Sequence, residues 1–562
     1  MSSDKPLSPL LKVLIYIGVV LLAIVLVVII CIAVMFFVPG TSILGYQYVN
    51  YSSNTDHVFT LDTPLSISDV YAIEVTSDVA GIYIYPNENS NEIKITHNQG
   101  VTGFTKSITS ELSVNAEVMT RSFENDTSSH KTLVFTVSEP SGFMLNNHSY
   151  ICVYVPSNLN LTTIYAKSGS GNIVYNTKGP KKTSSNNTNP IEPFVCSNLY
   201  LKSAGAGNIY ISNPEQVENY YISTKSGALT FSELPTPFSA NTIKFETETG
   251  LFSFVNKTQD ATLTLHNELF IKSNKQSGLG PQIRVNNLLG NLRIETFNGY
   301  YNFNKIGEGG NNKLVAITTN NSRVKLDEVY GQVSILGDAD NVSNNIDIQN
   351  LVGGSNVNNL DAGSGSIYIK SLSGDTALNS TSGQIKVDSA TPNSNIWAHS
   401  TSGNIIIRYE ESEESFSSKK TTVLTNTGNI DLGYVSNAVD VTVLSKNSST
   451  LNLTFSAIAT TDNYINAGNC NIDIVLVGTS DSLQHRIAST NRVTIPQTAV
   501  GAAGSEIETT DADYFIDNAK YNSYSYNYRI GYAKDNVVTR PYDNWGKLLI
   551  TTTGSTTVRT LL

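Results

Sequence analysis

The chain has 562 residues, a formal net charge of −11 and a sequence pI near 5.2, and only 15% of its residues are charged. An acidic chain without a Lys/Arg cluster interleaved with aromatics repels a phosphate backbone, which argues against nucleic acid as a partner. Asn, Ser, Thr and Gly are abundant, a composition of turns and strands, so the expected fold class is all-β with helix confined to the N-terminus.

Residues 1–12 read as a short cytoplasmic tail. Val13 to Val38 is uninterrupted, apolar and charge-free, and it ends at Pro39-Gly40. At about 1.5 Å per residue it exceeds the roughly 30 Å hydrocarbon core of a bilayer, whereas the apolar region of a cleaved signal peptide runs only about 7 to 15 residues. Lys5 and Lys12 precede it and no Lys or Arg follows until Lys94, an imbalance that favours a cytoplasmic N-terminus. The expectation is a single-pass signal anchor over 13–38, with the lipid bilayer as partner and the bulk of the chain extracellular or lumenal. Residues 39–60 read as a polar stalk.

From 61 to 480 one pattern recurs: a polar residue, a glycine and an alternating apolar strand. It begins at Ile73-Glu74-Val75, with Gly81-Ile82-Tyr83-Ile84-Tyr85 after the turn, and becomes less regular over 101–155. Clear copies follow at Ser168-Gly169-Ser170-Gly171-Asn172-Ile173, Ser226-Gly227-Ala228-Leu229, Ser382-Gly383-Gln384-Ile385, Ser402-Gly403-Asn404-Ile405 and Thr427-Gly428-Asn429-Ile430, with degenerate copies at Asn298-Gly299 and Asn321-Ser322. A spacing of roughly 20–25 residues is that of coils stacking to share a core, so the predicted architecture is an elongated β-solenoid (β-helix). After Gly403, Ile405 and Ile407 share one face and Ile406 and Arg408 the other. Gly403 itself is expected to turn the corner at positive φ. Polar insertions at 178–189 and 410–414 break the rhythm.

Residues 481–562 differ in composition, dense in tyrosine from Tyr514 to Tyr542 and ending in an apolar strand at 547–552. They read as a cap for the last coil, with Tyr524, Tyr526 and Tyr528 on one strand face as candidate ligand contacts. Three cysteines, Cys152, Cys196 and Cys470, lie beyond the membrane segment. Cys152 alternates with tyrosines and is expected to be accessible, Cys470 alternates with Ile472 and Ile474 and is expected to be buried, and a Cys152–Cys196 bridge stays open.

Tyr150-Ile151-Cys152-Val153-Tyr154-Val155-Pro156 followed by Ala166-Lys167-Ser168-Gly169-Ser170-Gly171-Asn172-Ile173 resembles the bacterial family of adhesin-like β-solenoid domains of unknown function. The resemblance extends over about 60–480. It implies a right-handed solenoid and a surface role, and it transfers no catalytic residues. The irregular stretch at 101–155 and the tyrosine-rich end depart from it.

Chemistry is sparse. The seven histidines are scattered without zinc-ligand spacing, and the Gly-x-Gly pairs lack the third glycine and helix of a dinucleotide loop, so no cofactor or metal is expected. Asp338, Asp340, Asp347 and Asp361 are the carboxylates nearest to a catalytic arrangement, with Asp431 and Asp473 outward on single strands. Asp is also a common turn residue, which favours a non-enzymatic reading. Asn-x-Ser/Thr sequons at Asn50, Asn125, Asn147, Asn160, Asn186, Asn256, Asn320, Asn341, Asn379, Asn447 and Asn452 are candidate glycosylation positions. The expected function is a membrane-anchored, adhesin-like cell-surface protein that meets an extracellular glycan or protein ligand. The competing readings are a polysaccharide-active β-helix enzyme and a purely structural coat protein.

Overall fold

The structure is a computed structural model that describes residues 8–38, 41–57, 70–87, 93–106, 112–124, 128–139, 142–157, 159–178, 194–214, 217–235, 238–254, 262–309, 313–338, 341–412, 414, 416–444, 449–456, 462–477, 485–489, 493–494, 546–552 and 556–561. Strands dominate it, joined to one N-terminal helix, and it divides into two compact units, Met1–Val217 and Glu218–Leu562.

In the first unit the helix Pro9–Phe37 starts where proline can stand without losing a needed N–H, and the Ser8 hydroxyl accepts the Leu11 amide at 3.3 Å. Beyond it two parallel ladders stack. One runs through His130–Ser138, Ala72–Ser77, Asn160–Ser168 and Val195–Ser203, and the other through Tyr150–Pro156, Gly81–Asn87, Ile173–Asn176 and Ile209–Ser212. Alternation decides which side chains go inward. Ile73, Ile164 and Leu199 are in register in the first ladder, Ile82, Ile173 and Ile209 in the second, and all six are buried. Each such aliphatic side chain contributes about 1.5–3 kcal/mol relative to its exposed state.

Spatial order departs from chain order here. The coil at 72–87 lies between the later segments 130–156 and 160–176. The irregular stretch at 101–155 supplies the terminal layer, in which strands turn antiparallel. Ser113–Arg121 pairs with His130–Ser138, and Lys94–Thr105 pairs with Tyr150–Pro156, Gly142–Asn147 and Tyr46–His57. Hairpins of this kind occupy the edge that a bare solenoid would leave open. The expected stalk is therefore corrected: Tyr46–His57 is a strand, paired with Lys94–Thr105 from Gln47 to His57.

In the second unit each coil passes through two long parallel faces. Asn345–Val352, Ile367–Ser373, Ile385–Ala390, Ile405–Tyr409, Ile430–Val435 and Ser449–Phe455 form one, and Asn358–Asp361, Thr376–Ser380, Ile396–Ser400, Phe416–Thr425 and Asn437–Val443 form the other. Ile367, Ile385, Ile405, Ile430, Leu451 and Ile472 stack in one buried column. At the far end the order departs from the chain again. Gly546–Thr552 and Thr556–Leu561 pair with Asp462–Ala467 and Cys470–Val477 on one side and with His485–Ser489 and Val493–Thr494 on the other. The chain's last strands are thus a coil of the solenoid inside the segment expected to cap it, while 495–545 lie outside the described residues.

The corners explain the repeat. A Ser or Thr at the end of one strand accepts, through its buried hydroxyl, the amide of the glycine three residues on: Ser168 from Gly171 at 2.7 Å, Thr247 from Gly250 at 2.8 Å, Ser400 from Gly403 at 2.9 Å and Thr425 from Gly428 at 3.0 Å. Gly403 is not among the positive-φ residues, which corrects the expectation for it. It must be glycine because a Cβ there would collide with the Gly383 carbonyl oxygen of the neighbouring corner, as one at Gly428 would with that of Gly403. Gly363, at φ 57°, is a corner where backbone conformation also requires glycine. In the first unit a carboxylate stands in for the missing neighbour. Glu139 Oε1 accepts the Ser77 hydroxyl at 2.6 Å and the amides of Val79 and Ala80 at 2.9 and 2.8 Å, and its Oε2 accepts the Asn147 side chain at 2.7 Å.

Candidate functional site

Strand pairing brings tyrosines from distant segments onto one outward surface of the first unit. Gly81 is in register with Tyr150 and Tyr85 with Tyr154, so Tyr83 and Tyr85 from one strand interleave with Tyr150 and Tyr154 from the other. Ring centroids are 5.0 Å apart for Tyr83 and Tyr150, 6.2 Å for Tyr83 and Tyr85, and 5.9 Å for Tyr85 and Tyr154. The Lys94 ammonium stands 6.0 Å from the Tyr154 ring centre. Tyr83, Tyr150 and Tyr154 are half-buried, Tyr85 is buried, and Tyr210, farther along the same sheet, is exposed.

Burial pushes the phenols of Tyr83 and Tyr85 up, with Cys152 adding to both, so they stay protonated and can donate. Cys152 lies in register with Tyr83 and is buried, contrary to the accessibility expected for it. No disulfide joins Cys152 to Cys196. Burial pushes the Cys196 thiol up to about 12 and the Cys470 thiol up to about 11, values at which neither is a nucleophile near neutrality. Cys470 is buried as expected. On the other ladder of this unit Phe123 and Tyr200 are buried and Tyr165 is half-buried: Phe123 lies 5.9 Å from Tyr165 and 6.0 Å from Tyr200, while Arg121 pairs with Glu74 at 3.3 Å and Lys202 with Glu124 at 2.7 Å.

The carboxylates singled out from sequence have different surroundings. Asp338 exchanges hydrogen bonds with Asn320, Asp361 Oδ1 accepts the Gly363 amide at 2.9 Å, and Asp340 lies outside the described residues. Asp347, Asp431 and Asp473 share one outward row, with Tyr368, Lys386 and Ile406 between the first two. Four strand spacings separate Asp347 from Asp431, about 19 Å, too far for an acid–base pair. Charges in this region are matched: Lys386 with Asp388 at 2.8 Å and Arg408 with Asp431 at 3.7 Å, while the Tyr368 hydroxyl donates to Asp388 at 2.7 Å. The Lys386 hydrogen bond, then that of Tyr368, holds the Asp388 carboxyl below its ordinary value. Among the described residues no group of three or more His, Cys, Asp and Glu gathers as a metal ion would need.

Tyr524, Tyr526 and Tyr528 lie outside the described residues, as do the sequons at Asn125, Asn186, Asn256 and Asn447. Asn50, Asn160, Asn341 and Asn452 are exposed, and Asn147 and Asn379 are half-buried. Asn320 is 1% exposed, which closes that sequon in the folded chain. The surface that sequence reasoning missed, Tyr83 to Tyr154, was foreshadowed by two alternating tyrosine strands; their adjacency depends on a pairing across 69 positions from Gly81 to Tyr150.

A family model described as Toastrack DUF4097 matches residues 90–473. One solved structure that resembles the chain is from Clostridium sporogenes and is described as a cell adhesion candidate. It is 10% identical, with 46% of this chain and 100% of that one covered, at a TM-score of 0.24. A search of the curated proteins found no match.

Proposed function

On the premise that this chain belongs to the Toastrack DUF4097 family, whose model spans most of it, we propose that it is a membrane-anchored, non-catalytic, adhesin-like surface protein that presents its solenoid to an extracellular glycan or protein. The observation that carries the proposal is the 29-residue helix Pro9–Phe37, charge-free from Val13 and solvent-exposed from Leu10 to Ile30, joined to a corner-stacked β array. Bare apolar surface of this length matches the hydrocarbon core of a bilayer, which supports the anchored reading. The Lys5 and Lys12 imbalance orients the array outward. The carboxylates engaged by neighbouring amides and the high-pKa thiols support binding over chemistry.

The Tyr83–Tyr154 surface is the assigned contact, since phenol rings stack on the apolar face of a sugar while their hydroxyls remain wet. Protease treatment of intact cells, with tags at both ends, tests the topology: the C-terminal tag is lost and the N-terminal tag protected, and the reverse pattern refutes it. A glycan array with the full chain in nanodiscs tests the contact. Loss of signal on Tyr150→Ala with an unchanged melting curve supports it; undiminished binding assigns the ligand elsewhere.

A further inference from the structure

The helix and the first strands of the array meet directly. Cys31, Ile32 and Ala33 are half-buried and Met35 is buried, so the last two turns of the helix pack against protein. Phe36 lies 4.7 Å from Tyr48, which lies 5.4 Å from Phe104, a chain of rings from helix to sheet. The proposed membrane reading supplies a depth scale. With Lys12 at the inner boundary, Cys31 stands about 28 Å higher, near the outer limit of a roughly 30 Å hydrocarbon core. The protein that covers Cys31 to Met35 is therefore at headgroup depth.

At that level stands a hairpin with an anomalous tip. Ser42 pairs with Gln47 and Ile43 with Tyr46, which leaves a two-residue loop, Leu44-Gly45, at φ 54° and 81°. Two positive φ values define a turn that ordinarily takes Asn-Gly or Asp-Gly, and here a bulky leucine occupies the first position at 92% exposure. In water the residue is unfavourable in both backbone and surface. Beside lipid its side chain gains burial, together with exposed Phe37 and Val38 at the helix end. Tyr46 and Tyr48 are the residue type enriched at membrane interfaces, and the Lys106 ammonium, 5.0 Å from the Tyr46 ring centre, is placed for a lipid phosphate.

We propose that the hairpin Ser42–Gln47 is a second membrane contact, which seats Leu44 in the outer leaflet and holds the base of the ectodomain against the lipid surface. The proposal rests on the anchored reading, and its test separates the two. The full chain and its Leu44→Trp and Leu279→Trp variants are reconstituted in phosphatidylcholine vesicles, with and without bromine on the upper acyl chain, and washed with carbonate before flotation. Leu279, 83% exposed in the second unit, is the control, and wild-type emission from Trp397 and Trp545 is subtracted. Brominated lipid should quench the residue-44 indole about twofold or more, as for an aromatic at interface depth, and leave residue 279 unchanged. A Ser42→Trp variant, on the hairpin's first strand, repeats the measurement with the probe outside the strained turn. Chain that floats with lipid but shows unquenched indoles at 44 and 42 overturns the hairpin contact alone. Chain that fails to float overturns the anchor and the contact with it.

Discussion

Replacing Gly403 by alanine tests how the coils stack. A Cβ there would lie 2.6 Å from the Gly383 carbonyl carbon and 2.9 Å from the Ser382 carbonyl oxygen, both backbone atoms fixed in the neighbouring corner. Alanine stiffens the unfolded chain, a gain of about 0.4–1 kcal/mol, whereas forcing a methyl into filled space costs about 1–3 kcal/mol. Prising the corners apart also weakens the amide bonds that cross between them, from Thr401 to the Ser380 carbonyl at 3.3 Å and from Ser402 to the Thr381 carbonyl at 2.9 Å, each worth about 1 kcal/mol. The sum is a loss of about 2–4 kcal/mol, concentrated at one inter-coil interface because stability in such arrays is local. Hydrogen exchange on the full chain in nanodiscs should show amides at 380–407 exchanging on the order of 10²-fold faster, each 1.4 kcal/mol being tenfold. Gly309→Ala is the control, since nothing stands within 4 Å of a Cβ there. If Gly403→Ala exchanges like Gly309→Ala, the corners are not in contact and the account of the repeat fails.

Three further outcomes are expected. Glu139→Ala strands the Val79 and Ala80 amides and should destabilise the first unit by about 1–3 kcal/mol, read as lost exchange protection at 72–87, with Glu139→Gln recovering part of it. Burial alone would raise the Asp375 carboxyl, but the backbone and side-chain N–H groups of Asn395 and the Lys419 ammonium hold it below 3.8, and Asp388 is likewise lowered. Their stabilisation is complete above the unfolded-state value and vanishes as pH falls through the lower folded values, so the melting temperature should hold from pH 7 to about 5 and drop below about 4. Asp375→Asn should flatten that drop, and an unchanged acid slope refutes the assignment. Deleting 546–562 removes strands that pair on both sides, which exposes the edge at 462–477 and should cause aggregation visible by light scattering; a monodisperse truncated chain contradicts the pairing.

The core of the coils was legible because each is written locally. In Ser400-Thr401-Ser402-Gly403-Asn404-Ile405-Ile406-Ile407 the cap, corner and inward residues all fall within eight positions. What makes Gly403 necessary was not, because the clashing atom belongs to the previous coil. Tyr46–His57 was hidden for a related reason: its middle, Asn50 to Asp56, is polar apart from Tyr51 and offers no apolar period, so only its partner at 94–105 marks it as a strand. The tyrosine surface escaped notice because Tyr83 and Tyr150 meet through an out-of-order layer that spacing does not encode. The tyrosines that attracted attention instead, at 524–528, stand out in composition alone.

Those out-of-order layers constrain the timing of biosynthesis. Residues 72–87 leave the ribosome before either of their neighbours, 130–156 and 160–176, exists, so that coil must wait unpaired on both sides. At the other end, 485–494 is translated long before 546–561, the coil that separates it from 462–477. The middle coils can zip in the order they emerge, each onto the one before. The two out-of-order layers cannot: 72–87 must wait some sixty residues for its first partner, and 485–494 must wait for 546–561. Without 546–561 the layers at 462–477 and 485–494 would have nothing to join them.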